Sequence, residues 1–204
     1  MANGGIRTHP STGRKKLNIN SMQSSLVHID SLSGKMMNRA QLPQELRFNS
    51  IRHLTIDSHG DVYISLQNQN LNEKYCLLAI FRSKAKTITP CVIPDKIVRH
   101  LNHYLGDIAL DCSEKFFMTT SPRGDRALIF SREGDFLDSV KIPDVCGVAK
   151  TNKVGGFRVT SGDGQMVELL FNEQSRRLWQ RDIVKLPINR ELSWDNHLIF
   201  VDSS

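Results

Sequence analysis

The sequence predicts an all-β protein of the β-propeller type, and three observations predict it. Short segments rich in β-branched and aromatic residues alternate with turn residues along most of the 204-residue chain. The segments group in fours, with a period that suits one propeller blade of about 40 to 50 residues. Each group closes on a proline-bearing connection, at Leu42-Pro43, Ile93-Pro94, Ile142-Pro143 and Leu186-Pro187. Proline suits the end of an outer edge strand, where its missing N–H removes no ladder bond. A two-sheet sandwich is the competing architecture.

In chain order, residues 1–24 read as a long loop and residues 25–43 as half a blade, with strands over 25–30 and 34–42. Residues 50–94 make a full blade, with strands at 51–57, 61–65, 75–81 and 87–93 and a turn at Ser58-His59-Gly60. A short helix is expected near 95–104, where Ile97, Val98, Leu101 and Leu105 share one face after Pro94. The grammar then repeats in blades over 105–143 and 146–187, and residues 196–202 read as the first strand of another. The count is about three full four-stranded blades plus two incomplete ones. A wheel closes with at least about four blades, because each buries its faces against its neighbours. Missing N-terminal blades or a second copy are therefore expected to complete it.

Composition narrows the function classes. At 39% hydrophobic residues the chain can bury a sizeable core. No apolar run approaches the roughly 18 to 20 residues that cross a bilayer, and the N-terminus lacks a charged-then-apolar export pattern. No membrane partner is expected, and the chain as written reads as cytoplasmic or unplaced. The net charge of +6 comes largely from Arg7, Arg14, Lys15 and Lys16 at one end and Arg176, Arg177 and Arg181 at the other. Nucleic acid is not the expected partner, since aromatic residues are only 7% and no basic-aromatic stripe appears. A basic surface facing an anionic small molecule fits better.

Four cysteines show no metal-ligand spacing, so a structural zinc site has no motif behind it. Cys76 and Cys91 lie about equally far from a turn expected near Ser83-Lys84. They either form a disulfide across that hairpin or pack as two thiols.

Aligning the first strand of each blade places His53, Asp107, Gly147 and His197 in register, at spacings of 54, 40 and 50 residues. In a blade, the loop between the second and third strands opens on the same face as the connection leading into the next blade. Those loops carry Arg7, Thr8 and His9, then Ser121 and Arg123, then Ser161 and Asp163. The starts of the innermost strands carry Arg52 and His53, His103 and Asp107, Cys146, and Asn196 and His197. The candidate ligand-binding residues are therefore Arg7, His9, Arg52, His53, Arg123, Asp163 and His197. Arginine offers a fixed fork of donors and neutral histidine a metal-capable nitrogen, so an anionic or metal-bearing ligand suits such a mouth. The competing readings are structural: His53 and His197 tying inner strands, Arg7 and His9 in an ordered surface loop, Arg123 and Asp163 pairing within their own turns. The cofactor is left unknown: a metal ion would suit these side chains, but no motif specifies one. Without a serine-nucleophile motif or HExxH, catalysis would rest on histidine and arginine alone.

Several stretches in order carry a family resemblance: Ala2-Asn3-Gly4-Gly5-Ile6-Arg7-Thr8-His9-Pro10, Ser50-Ile51-Arg52-His53-Leu54, Thr120-Ser121-Pro122-Arg123-Gly124, Pro143-Asp144-Val145-Cys146-Gly147-Val148, Thr160-Ser161-Gly162-Asp163-Gly164 and Trp194-Asp195-Asn196-His197-Leu198. Over nearly the whole chain the sequence resembles the bacterial family called domain of unknown function 1513. The resemblance implies a propeller exported by the twin-arginine route to the periplasm. It also implies a setting beside imelysin-like and di-haem oxidoreductase-like proteins in iron-uptake clusters. By that resemblance, this sequence is expected to begin inside the family's central loop, after the signal and the blades that precede it. The expected function is a binding or scaffold protein of an iron-acquisition system, with an imelysin-like partner. The alternatives are a lactonase- or hydrolase-like propeller enzyme and a truncated product without independent function.

Overall fold

A computed structural model describes residues 1–13, 15–70, 75–184, 194–195 and 197–201. They form four antiparallel sheets, each a meander with its strands in chain order. The first has three strands: β1 (Ala2–Asn3), β2 (Ser25–Ile29) and β3 (Met36–Gln41). The second comprises β4 (Asn49–Ile56), β5 (Val62–Asn68), β6 (Leu78–Arg82) and β7 (Thr87–Pro90). The third comprises β8 (Ile108–Leu110), β9 (Phe116–Ser121), β10 (Arg126–Ser131) and β11 (Phe136–Lys141). The fourth comprises β12 (Val145–Lys150), β13 (Gly156–Ser161), β14 (Met166–Asn172) and β15 (Arg177–Val184). Short turn-rich connections fold each strand back on the last. At Gly60 a φ of 83° lets the β4–β5 turn close, a conformation that L side chains rarely adopt.

The sheets stack face to face as propeller blades, and period-two alternation along the strands explains why. Phe117 of β9 enters a core with Tyr63, Leu78 and Ile80 of the second sheet, while its neighbours Phe116 and Met118 enter another with Phe157, Val159 and Leu169 of the fourth. Similarly, Ile64 and Leu66 of β5 face Leu26 of the first sheet, whereas Tyr63 faces the third. Aromatic rings join the blades directly, with Tyr63 to Phe117 at 4.7 Å and Phe117 stacked on Phe130 at 5.1 Å. Full burial of each such ring stabilises the stack by about 1.5–3 kcal/mol. The innermost strands β4, β8 and β12 lie side by side along the channel. Among the described residues, no helix is long and apolar enough to cross a membrane.

Four details depart from the sequence expectations. Within the expected loop 1–24, Ala2 and Asn3 pair with Leu26 and Ser25, adding a third strand to the first sheet. The helix α1 covers only Asp95–Val98: the N–H groups of His100 and Leu101 bond back three residues, to Ile97 and Val98, and Asn102 and His103 then take positive φ values of 47° and 60°, which a helix excludes. Turns carry the chain onward, and Leu101 and Leu105 are still fully buried beside Ile97 and Val98, so a one-sided apolar pattern did not require a helix.

The cysteine pair is not bridged. The β6–β7 ladder pairs Ala79 with Pro90 and Arg82 with Thr87, which centres the turn one residue later than expected. Cys91 therefore meets Leu78, and the Cys76 thiol donates instead to the carbonyls of Leu78 and Cys91, at 2.9 and 3.3 Å. Both remain free thiols. Finally, residues 197–201 lie in no ladder; the Leu198 N–H donates to the Asp107 carboxylate. Arg14, Leu186, Pro187, Asn196 and Asp202 lie outside the described residues.

Candidate functional site at the mouth of the channel

The site starts from irregularities at one level of the inner strands. In β4 the register passes from Ile51 opposite Leu66 to His53 opposite Ser65, leaving Arg52 as an inserted residue. In β12 it passes from Val145 opposite Ser161 to Val148 opposite Val159, inserting one residue at Cys146-Gly147. Just before β8, Gly106 and Asp107 both bond the backbone of Thr120. Bulges of this kind bend a strand and re-aim its side chains. Here they set His53, Asp107 and Gly147, the positions aligned by sequence, on three adjacent inner strands. A Cβ at Gly147 would stand 2.8 Å from Thr160 Oγ1 and 3.1 Å from the His197 carbonyl carbon. Glycine thus allows the segment around His197 to pass close against β12.

Asp107 is the centre of this level. Its Oδ1 accepts from the Ile108 N–H at 3.0 Å, and its Oδ2 accepts from Val148 at 3.0 Å and Leu198 at 3.3 Å. One carboxylate therefore joins two blades and the C-terminal segment. His53 Nδ1 and His197 Nδ1 stand 3.7 and 4.0 Å from the same Oδ1, and the two imidazole centroids are 4.8 Å apart. One ligand-capable atom from each of the three residues lies within 4.8 Å of the others. Burial, reinforced by His197 and Arg52, pushes His53 down to about 4. It is neutral at pH 7, so its contact with Asp107 is imidazole to carboxylate and not an ion pair. Burial raises Asp107, and the three backbone N–H groups oppose that rise.

Above this level opens a cavity of about 970 Å³, whose walls include Thr8, Lys16, Arg52, Tyr104, Arg123 and Asp195. Its volume is that of a site for a small organic ligand. Burial lowers Lys16, and Arg52 and Arg123 lower it further. Burial also lowers Arg52, with Tyr104 opposing and Arg123 adding to the effect. The Arg52 guanidinium donates to Gln67 Oε1, and the Arg123 guanidinium lies 5.4 Å from the centre of the Tyr104 ring. Cys146 also lines the cavity, yet burial and Asp144 push it up to about 11, so it stays a thiol and donates to the Asp144 carbonyl at 3.0 Å. A separate cleft of about 630 Å³ between the first two sheets, walled by Leu26, Met37, Leu54 and Phe81, is mainly apolar.

Of the residues nominated by sequence, Arg52, His53, Arg123 and His197 meet in the polar cavity. Arg7 and His9 are exposed and do not line it, although Ile6 and Thr8 do. The Arg7 backbone is held by Asn18 and Leu17. His9 Nδ1 accepts from the Ser11 N–H at 3.2 Å and caps the turn at Pro10–Thr12. Asp163 is spent on its own turn, bonded to Ser161 Oγ and to Gln165 Nε2, and does not reach the cavity. His103 packs its ring on Tyr75 at 4.0 Å. Sequence reasoning missed Lys16, Gln67, Tyr104, Asp144 and Asp195 as cavity residues. Lys16 was visible only as one member of a basic run, and nothing in the pattern around Gln67 or Tyr104 marks a site.

Comparison with solved structures places the chain among propeller-like folds. It is similar to a streptogramin B lyase, with a TM-score of 0.54 and 16% identity over 82% of this chain and 50% of that one. It is also similar to the periplasmic gluconolactonase PpgL of Pseudomonas aeruginosa, with a TM-score of 0.57 and 10% identity over 89% of this chain and 52% of that one. The chain thus spans about half the length of both, and at such identities the likeness concerns the fold. No curated protein matches the sequence. Residues 1–201 match one family model, and the chain belongs to that family, DUF1513, described as a protein of unknown function.

Proposed function

We propose that this propeller binds an anionic small molecule, bearing carboxylate or phosphate groups, in the cavity at the mouth of its channel. The observation that carries the reading is the convergence of Lys16, Arg52 and Arg123 on one concave surface. Among the described residues no carboxylate forms an ion pair with any of the three. The three cations outnumber the two carboxylates in the same walls, Asp144 and Asp195, so an anion relieves the repulsion left among them. Asp144 in the same walls can accept from a hydroxyl group, which suits a hydroxylated acid. The setting we propose for this binding, by resemblance to the family, is a binding or scaffold role in periplasmic iron acquisition, with an imelysin-like protein, further blades or a second copy as partner.

Calorimetric titration of the chain with citrate and with inorganic phosphate at low salt tests the reading. Arg123→Met and Lys16→Met are each expected to weaken binding about 10- to 100-fold, the scale of one lost charge-assisted hydrogen bond. No binding of either anion at about 10 mM, a limit near −3 kcal/mol, would refute it.

A second reading rests on His53 and Asp107 beside those cations and on the fold likeness to a gluconolactonase. A neutral His53 would act as general base toward water, and Arg52 would stabilise the oxyanion of an opening lactone. Turnover of gluconolactone above its spontaneous rate, abolished in His53→Gln, supports it; equal rates with and without protein exclude it.

A further inference from the structure

Two imidazoles and one carboxylate converge at the base of the cavity, delivered by β4, by the residue before β8 and by the C-terminal segment. We propose that His53, Asp107 and His197 form a mononuclear site for a divalent transition-metal ion, with zinc or iron(II) best suited to this donor set. The site goes beyond anion binding and stands independently of it.

The geometry is close to what such an ion requires. With metal–ligand bonds of about 2.0–2.2 Å, ligand atoms at tetrahedral angles stand roughly 3.3–3.6 Å apart. Asp107 Oδ1 lies 3.7 Å from His53 Nδ1 and 4.0 Å from His197 Nδ1, and all three ligand atoms lie within 4.8 Å of one another. Small side-chain rotations close the difference, and the His197 side chain, 72% exposed, is free to make them.

The surroundings are arranged as metal ligands generally need. Backbone N–H groups of Val148 and Leu198 occupy Oδ2 of Asp107, and Oδ1 takes only one, from Ile108. That leaves Oδ1 with lone-pair capacity on the side facing both histidines, and the three backbone N–H groups fix the direction of the carboxylate. The role of Asp107 as a tie between strands accounts for Oδ2. It does not require two imidazoles to approach Oδ1. Arg52, the nearest cation in sequence, donates to Gln67 and lines the cavity above the trio. Three protein ligands leave at least one position open toward the cavity, where a carboxylate or water could bind.

The test is metal titration of the chelator-treated, dialysed 204-residue chain. Calorimetry with zinc chloride is expected to give one ion per chain, and cobalt(II) to give visible d–d absorption at the same stoichiometry. His53→Ala and His197→Ala are each expected to weaken zinc about 100-fold, whereas His59→Ala, on a surface turn, leaves it unchanged. His197 is exposed enough that its loss does not threaten folding, so His197→Ala decides the matter even if His53→Ala fails to fold. Absence of saturable uptake, or equal uptake by wild type and His197→Ala, overturns the site. Repeating the citrate titration in chelator separates the two readings, since anion binding through Lys16, Arg52 and Arg123 persists without metal.

Discussion

Asp57 and Asp111 sit at the far ends of inner strands β4 and β8; Lys16, Arg52 and Arg123 sit around their near ends. The Asp57 side chain is fully buried and accepts from the N–H groups of His59 and Asp61, from Tyr63 and from Arg132 of the next blade. Asp111 accepts from Ser113, Phe116 and, again in the next blade, Gly155. At this end each carboxylate is used up in closing a turn and welding adjacent blades. At the mouth, the charges face a cavity and each other. The contrast teaches that saturation, and not the face alone, separates the roles: Asp57, Asp111 and the mouth's own Asp107 hold blades together, whereas the cations at the mouth keep donors for a ligand.

The comparison breaks first if the far-end carboxylates prove dispensable. Asp57→Ala removes a fully buried carboxylate that holds Tyr63, Arg132 and two partly buried N–H groups, and is expected to cost about 3–5 kcal/mol, read as a fall of roughly 6–20 °C in Tm. Citrate affinity of the folded protein should not change. Next in size, Gly147→Ala sets a methyl 2.8 Å from Thr160 Oγ1 and against the backbone of His197. Overpacking there is expected to cost about 1–3 kcal/mol in a denaturant melt and to weaken zinc, by displacing His197. Arg123→Met sharpens the contrast in the opposite sense, with stability changed by no more than about 0.5 kcal/mol while anion affinity falls.

The smallest effect is a pH dependence at the far end. Burial would raise Asp61, but hydrogen bonds from the Ser83 backbone and Arg82 prevail and hold it below its ordinary value. A depressed carboxylate contributes stability above its unfolded pKa, near 3.9, and loses it as pH falls through the folded value. Acid melts below about pH 4 should therefore be shallower for Asp61→Asn than for wild type. Thiol reactivity supplies a check on the mouth. The exposed Cys112 should react with a disulfide reagent well before Cys91, which burial and Cys76 push up to about 12, or Cys146.

Much of the fold was legible because blade architecture is written in local signals. Alternating residues such as Phe116 and Phe117, turn glycines and terminal prolines each act within a few positions, so four-strand groups could be read without contacts. The inner-strand alignment of His53, Asp107 and His197 followed from the same period. Cys76 and Cys91 show the limit: a turn placed one residue early changes which side chains face each other across the hairpin. Asp163 and His9 show another. Their side chains found partners two residues away, a competition that local turn chemistry decides and that no repeat reveals.

The chain's own pattern determined an all-β propeller with repeated blades and a basic character, because these depend on periodicity and short-range propensity. Only the tertiary structure decided which charges share a cavity. Lys16 reaches Arg52 and Arg123 through loops from different blades, and bulges in β4 and β12 turn Arg52 and Cys146 toward the channel. The physical reason is that stacking sheets face to face brings distant segments within a few ångströms, and electrostatic interaction depends on distance in space and not on separation along the chain.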